Sequence, residues 1–237
     1  MTRQLFLYGD SIMKGVIRDE DTGQYTMYQP EAFVDAFAAI GYKLNNRSRY
    51  GATIDKGRQL IERDLKRFAK EREAGNTITV LLEFGGNDSD FYWDEVAADP
   101  YVDHPQKTPP EAFKQQYREI VQLLRDHDIE PILLNLPPIQ PERFLDYFIE
   151  AYELEQGAVD PFIDVPSTIY HHQEMFSDMV CETAMELKLE MIDIRRVFLS
   201  HRYCDSKLIG GDGLHPTPAG HELIRERVVD RMRGRDA

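Results

Sequence analysis

Apolar runs alternate along the chain with stretches whose apolar residues recur every three or four positions. The runs are LFLYG (5–9), YKLNN (42–46), TITVLLEFG (77–85), PILLNLP (131–137) and EMIDI (190–194). The longest are apolar at several consecutive positions, the pattern of parallel strands covered on both faces. Between them, Phe33, Phe37 and Ile40 share a helical spacing that stops at Gly41, and Ile61, Leu65 and Phe68 share another that breaks at AGN (74–76). The clearest helix spans 109–126, with Thr108 as cap, Pro109 in the first turn, Glu111 completing a capping box, and a stripe of Phe113, Tyr117, Ile120, Val121 and Leu124. A last helix opens the same way, at Thr217 and Pro218, and carries Leu223, Ile224, Val228 and Met232. Strands alternating with helices predict an α/β fold, a parallel sheet between two helix layers.

Two segments interrupt the alternation. Residues 89–107 read as a long, mostly irregular connection. Residues 138–189 form a helical excursion, two helices separated by the Pro- and Gly-containing stretch 157–166, which would serve as a lid, a dimer contact or a helix pair packed on the sheet. With no repeat or flexible linker, the expectation is one domain over 1–237.

Composition narrows the partners. The 42 acidic against 28 basic side chains give a formal charge of −14, which repels nucleic-acid phosphates and anionic membrane surfaces. No stretch approaches the ~18 unbroken apolar residues of a membrane span. The opening MTRQLFLYGDS reads as a first strand rather than an export peptide, so a cytoplasmic location is expected. Cys181 and Cys204 are too few for a disulfide framework and lack metal-ligand spacing. HHQE (171–174) is not a zinc motif, because adjacent helical residues point about 100° apart. No metal is expected.

The polar residues that break the pattern fall at strand ends. Ser11 follows the first strand, Gly51 the second and Asn87 the third, while Asp212 and His215 share a late loop, GDGLHPTPAGH (211–221). The carboxyl ends of parallel strands lie along one edge, where ligands bind, so these loops should converge. A serine hydroxyl needs a base, an imidazole needs a carboxylate to orient it, and an oxyanion needs fixed donors. His215 and Asp212 suit the first two tasks. The N–H groups of Ser11 and Gly51 and the amide of Asn87 suit the third.

GDSIMKG, Gly51, GGND and DGLHP together resemble the four signatures of the SGNH hydrolases, or GDSL-type esterases and lipases. The family's Ser, Gly, Asn and His correspond to Ser11, Gly51, Asn87 and His215. The resemblance implies a three-layer α/β/α sandwich with a five-stranded parallel sheet, flavodoxin-like in its layering. It also implies a Ser-His-Asp mechanism without a cofactor, acting on a small-molecule ester. GDSI in place of GDSL is a conservative departure, whereas the 138–189 excursion separates this chain from the simple pattern. An α/β-hydrolase is set aside, because Ser11 lacks the Gly-x-Ser-x-Gly elbow.

The expected substrate carries a short acyl group on a polar alcohol such as an acetylated sugar. Tyr92 or Trp93 in DFYWDE (90–95) would stack on the sugar, and Asp90 or Asp94 would accept its hydroxyls; the plainer reading has these aromatics anchoring the loop. A lysophospholipase or thioesterase acting on longer chains is the alternative chemistry. A non-catalytic binding module on the same scaffold is the alternative class. A homo-oligomer is left open.

Overall fold

The computed structural model describes residues 1–236. Its elements, in chain order, begin with β1 (Arg3–Gly9), α1 (Ser11–Lys14), β2 (Val16–Arg18), β3 (Tyr25–Met27), α2 (Pro30–Ala38), β4 (Tyr42–Asn46), α3 (Ile54–Glu73) and β5 (Thr77–Glu83). There follow α4 (Trp93–Ala98), α5 (Pro110–Arg125), β6 (Ile132–Leu134), α6 (Pro141–Ala151), α7 (Asp160–Ile163) and α8 (Ser167–Leu187). The chain then runs through β7 (Glu190–Ile192), α9 (Arg195–Leu199), a single π-helical turn (Cys204–Leu208) and α10 (Pro218–Arg233).

Five strands form one sheet in the order β4-β1-β5-β6-β7, every neighbouring pair parallel. Successive side chains of a strand face opposite ways, and β1 shows it plainly. Phe6 and Tyr8 join a core with Phe68 of α3, Phe113 and Tyr117 of α5, and Phe176 and Val180 of α8. Leu5 and Leu7 join the other core, with Phe37 of α2 and Ile224, Val228 and Met232 of α10. The fold is therefore the α/β sandwich that the alternation predicts.

The chain leaves β1 toward β4 on one side and returns to β5 on the other. That reversal makes the carboxyl end of β1 a topological switch point, where the adjacent loops splay apart and leave a crevice.

Four details differ from the sequence reading. Residues 16–18 and 25–27 form a separate antiparallel hairpin, which three-residue strands give too little pattern to reveal. The 89–107 connection contains the short helix α4. The 138–189 excursion holds a one-turn helix, α7, besides its two long helices. Its α8 packs on the sheet, while Phe144, Phe148 and Ile149 of α6 build a third cluster with Phe91 and Trp93. Finally, α5 begins at Pro110 and lacks its capping box: the Thr108 hydroxyl donates to Asp88 Oδ1 at 2.6 Å. Asp88 is fully buried, so its oxygens need donors from the protein, and it draws the hydroxyl away. Among the described residues, no helix is long and apolar enough to cross a membrane.

Candidate active site

Ser11 lies where β1 turns abruptly into α1. Asp10 caps that turn by accepting the Ile12 N–H at 2.8 Å, and Gly15, at φ 87°, ends the helix four residues on. Ser11 is 5% exposed. His215 comes from a loop pinched shut by a bridge between Ile209 and Pro216. Within it, Gly213 has φ 69°, and a Cβ there would lie 2.3 Å from the Gln140 carbonyl and 2.5 Å from the Phe144 nitrogen. Only glycine lets the loop seat against the start of α6.

The loop delivers the imidazole to the serine across 204 residues of sequence: His215 Nε2 lies 2.9 Å from Ser11 Oγ. Its Nδ1 lies 2.7 Å from Asp212 Oδ2. A proton on Nδ1, facing the carboxylate, leaves Nε2 to accept from the serine. The other Asp212 oxygen accepts the N–H groups of Leu214 at 3.0 Å and His215 at 2.9 Å. Burial would raise the Asp212 carboxyl, but the His215 ring and these N–H groups outweigh it and hold it below the usual range.

Asn87 follows β5 in a turn fastened by Ser89 Oγ donating to the Gly86 carbonyl. Its Nδ2 donates to Asp10 Oδ2 at 3.0 Å and to the Ala52 carbonyl at 3.3 Å. Gly51 lies on the loop after β4, which is bound to β1 by Arg47 N–H to the Leu7 carbonyl and Arg49 N–H to the Gly9 carbonyl. The requirement for glycine at 51 is its φ of 65°, since a Cβ there would meet nothing within 4 Å.

Beside Ser11 opens a narrow cleft whose internal volume is about 40 Å³. Phe91, Leu136, Pro137, Ile139, Phe144 and Leu214 give it apolar walls, and Asn87 and Glu83 also border it. Glu83 is fully buried, makes no side-chain hydrogen bond, and faces the backbone N–H of Asp10. Burial, then the charge of Asp10, pushes its pKa well up. Burial likewise pushes Asp10 up to about 6 and Asp88 up to about 7.

Of the two readings of the aromatic loop, Trp93 takes the plainer one and anchors it. Trp93 is 1% exposed, stacks on Phe148 with centroids 4.0 Å apart, and donates Nε1–H to Asp90 at 2.8 Å. It has no open face for a sugar, because covering the α6 cluster buries more apolar surface. The second oxygen of Asp90 is held by Lys107 at 2.6 Å. Tyr92 is half exposed but does not border the cleft. The aromatic groups beside the imidazole are instead Tyr25, 5.1 Å from it between centroids, and the exposed Tyr50, at 6.1 Å and nearly parallel. Tyr147 lies 6.2 Å from Tyr25. No sequence pattern marks these tyrosines, which come from three separate elements. Glu83 did carry a signal: it is an acid closing an apolar strand.

His172 faces Gln106, with Nδ1 2.9 Å from its amide nitrogen. Both cysteines are unbridged. Among the described residues, no three His, Cys, Asp or Glu side chains gather to hold a metal ion.

Residues 7–223 match the model of the GDSL-like Lipase/Acylhydrolase family. Among solved structures, the lipase/acylhydrolase from Enterococcus faecalis superposes with a TM-score of 0.65 at 17% identity, over 99% of this chain and 97% of that one. Est24, a carbohydrate acetylesterase from Sinorhizobium meliloti, gives 0.63 at 16% identity, over 98% of each chain. TesA gives 0.57 at 19% identity, over 95% of this chain and 96% of that one. These identities carry the fold alone. No curated protein matches the chain.

Proposed function

The chain belongs to the GDSL-like lipase/acylhydrolase family, and from that membership and its site geometry we propose that it is a serine esterase working through an acyl-enzyme. The observation that carries the reading is the unbroken line from Ser11 Oγ to His215 Nε2 at 2.9 Å and from His215 Nδ1 to Asp212 Oδ2 at 2.7 Å. Ser11 attacks the ester carbonyl while His215 takes its proton, and Asp212 stabilises the imidazolium that forms. The N–H groups of Ser11 and Gly51 and the amide of Asn87 receive the oxyanion. His215 returns the proton to the departing alcohol. It then deprotonates a water, which frees the acid and restores the serine.

A short acyl group fits the cleft. Its volume of about 40 Å³ is roughly that of three waters, counting 10–15 Å³ for each, which suits an acetyl rather than a decanoyl group. The open face of Tyr50 beside the imidazole suits a leaving alcohol with a polar ring, such as a sugar. The apolar walls are what favour the alternative, a lysophospholipase or thioesterase.

The test combines labelling with turnover. A fluorophosphonate should label the parent at Ser11 and leave Ser11→Ala unlabelled, and that variant should lose essentially all hydrolysis of p-nitrophenyl acetate. A folded Ser11→Ala with near-parental rates, or a parent that takes no label, returns the chain to the class of binding modules. A strong preference for the decanoate over the acetate removes the short-acyl assignment.

A further inference from the structure

The β2–β3 hairpin stands apart from the main sheet, yet it and its flanks grip the loop and helix that carry the candidate acid–base pair. The Val16 carbonyl meets His221 Nε2 at 2.9 Å, and Glu20 Oε1 accepts the Gly211 N–H at 2.8 Å. The Tyr28 hydroxyl donates to Glu222 at 3.1 Å. These three contacts anchor backbone or helix surface. The fourth is of another kind: the Tyr25 hydroxyl donates to Asp212 Oδ2 at 3.0 Å, across 187 residues of sequence.

An ionised carboxylate has about four lone-pair sites. In Asp212 two are filled by its own loop's N–H groups, a third by the imidazole and the fourth by Tyr25. Without the tyrosine, Oδ2 would answer to His215 alone. The Tyr25 ring, tilted 59° against the imidazole, also limits how far that ring can swing.

We propose that Tyr25 is a positioning residue for the Asp212–His215 pair. Its hydroxyl holds Oδ2 in line with Nδ1 and draws off part of the carboxylate's charge, which tempers the basicity of the imidazole. This rests on the serine-esterase reading and deepens it.

Several titratable groups surround the pair. Asp10 and His221 lie close enough to feel the charge of the His215 ring. Tyr50 and Tyr147 lie alongside, Glu20 and Arg18 approach Gly211, and Arg143 binds the carbonyls of Ile209 and Gly210. Burial, then the Tyr147 hydroxyl and the Asp212 charge, keep the Tyr25 phenol far above its ordinary pKa, so it remains a donor. Asp10, pushed up to about 6, titrates in the working range, but it is present in parent and variant alike and cancels from their difference.

The experiment is a kcat and KM profile with p-nitrophenyl acetate from about pH 5 to 9 for the parent, Tyr25→Phe and Glu20→Gln. Tyr25→Phe keeps the ring and removes only the hydroxyl. It should lower kcat about 10-fold, the scale of one hydrogen bond to a charged group, with KM changed less than about 2-fold. The acid limb of kcat/KM should move up by about half a pH unit, because a carboxylate no longer shared with the phenol binds the imidazolium more strongly. Glu20→Gln exchanges the charge-assisted bond to the Gly211 N–H for a neutral one and spares all four Asp212 contacts, so its acid limb should not move up. A Tyr25→Phe enzyme with parental kcat and acid limb overturns the proposal. Equal displacement of the limb in both variants also overturns it, because anchoring of the hairpin would then account for the effect. A parent that neither turns over nor labels at Ser11 would instead overturn the esterase reading itself.

Discussion

Asn87 has two amide hydrogens, and both are engaged: one faces Asp10 Oδ2 at 3.0 Å, the other the Ala52 carbonyl at 3.3 Å. The two bonds differ in strength. A carboxylate acceptor makes a charge-assisted bond, whereas the longer bond to a neutral carbonyl is easily exchanged. In the proposed mechanism the oxyanion replaces Ala52 as acceptor, and Asp10 continues to aim the amide. Asn87→Ala should therefore reduce kcat by about 10²–10³ with little change in KM. Steady-state kinetics with p-nitrophenyl acetate check this, and a loss confined to KM would make Asn87 a binding residue. This part of the site was legible in the sequence, because Ser11, Asn87, Asp212 and His215 stand in polar punctuation after apolar strands, where chemistry has few structural competitors. Tyr25 was not. An aromatic residue in a short strand looks the same whether its hydroxyl meets water or a carboxylate 187 residues away. Trp93 misled for the opposite reason: large aromatics gain so much by burial that proximity to Asn87 in sequence says little about which way they face.

Between elements, one close approach that bears on the site is α3 against the end of β5. A Cβ at Gly57 would sit 2.3 Å from Phe84 Cζ, and Phe84 is fully buried. Phe84 is also held by its backbone, its N–H donating to the Tyr117 hydroxyl at 3.2 Å. Gly57→Ala gains about 1 kcal/mol of helix propensity, yet it must displace a packed ring, which costs about 1–3 kcal/mol. The expected net result is a lower melting temperature, with reduced activity as well, because Phe84 begins the turn that carries Asn87. Thermal melting and a rate measurement check it; a more stable Gly57→Ala would show that the ring moves aside freely. Elements of this kind were legible where periodicity ran long enough, as in α3, α5 and the first strand. Their junctions were not. Local spacing favours a helix cap for the Thr108 hydroxyl, while the winning acceptor, Asp88, lies 20 residues upstream.

Across the whole molecule, the apolar pattern and the rule that ligands bind at the carboxyl edge of a parallel sheet made the convergence of the loops predictable. They did not reveal that the same edge buries three carboxyls, Asp10, Glu83 and Asp88, whose proximity depends on how closely two loops pack. This cluster sets part of the pH dependence of stability. Unfolded Asp and Glu release their protons near pH 4. Asp88 keeps its proton in the folded state to about pH 7, and burial raises Glu83 well above its ordinary value. Over that window the folded chain binds more protons than the unfolded one, so stability falls as pH rises. For Asp88 the fall between pH 4 and 7 is on the order of 3 kcal/mol. Asp212 works in the other direction: its lowered pKa contributes stability above about pH 4 that is lost on acidification. The measured curve is thus a sum, and a difference between two proteins isolates one member. Glu83→Gln serves, because the amide keeps the side chain's shape and an oxygen to face the Asp10 N–H, yet cannot ionise. Urea denaturation should give similar stabilities for parent and variant near pH 4, where both side chains are neutral. The variant should then gain steadily on the parent as pH rises toward 8 and the parent alone must bear the cost of keeping or losing that proton. A parent-minus-variant difference that stays constant over this range would mean that Glu83 titrates normally and that the buried cluster does not govern the curve.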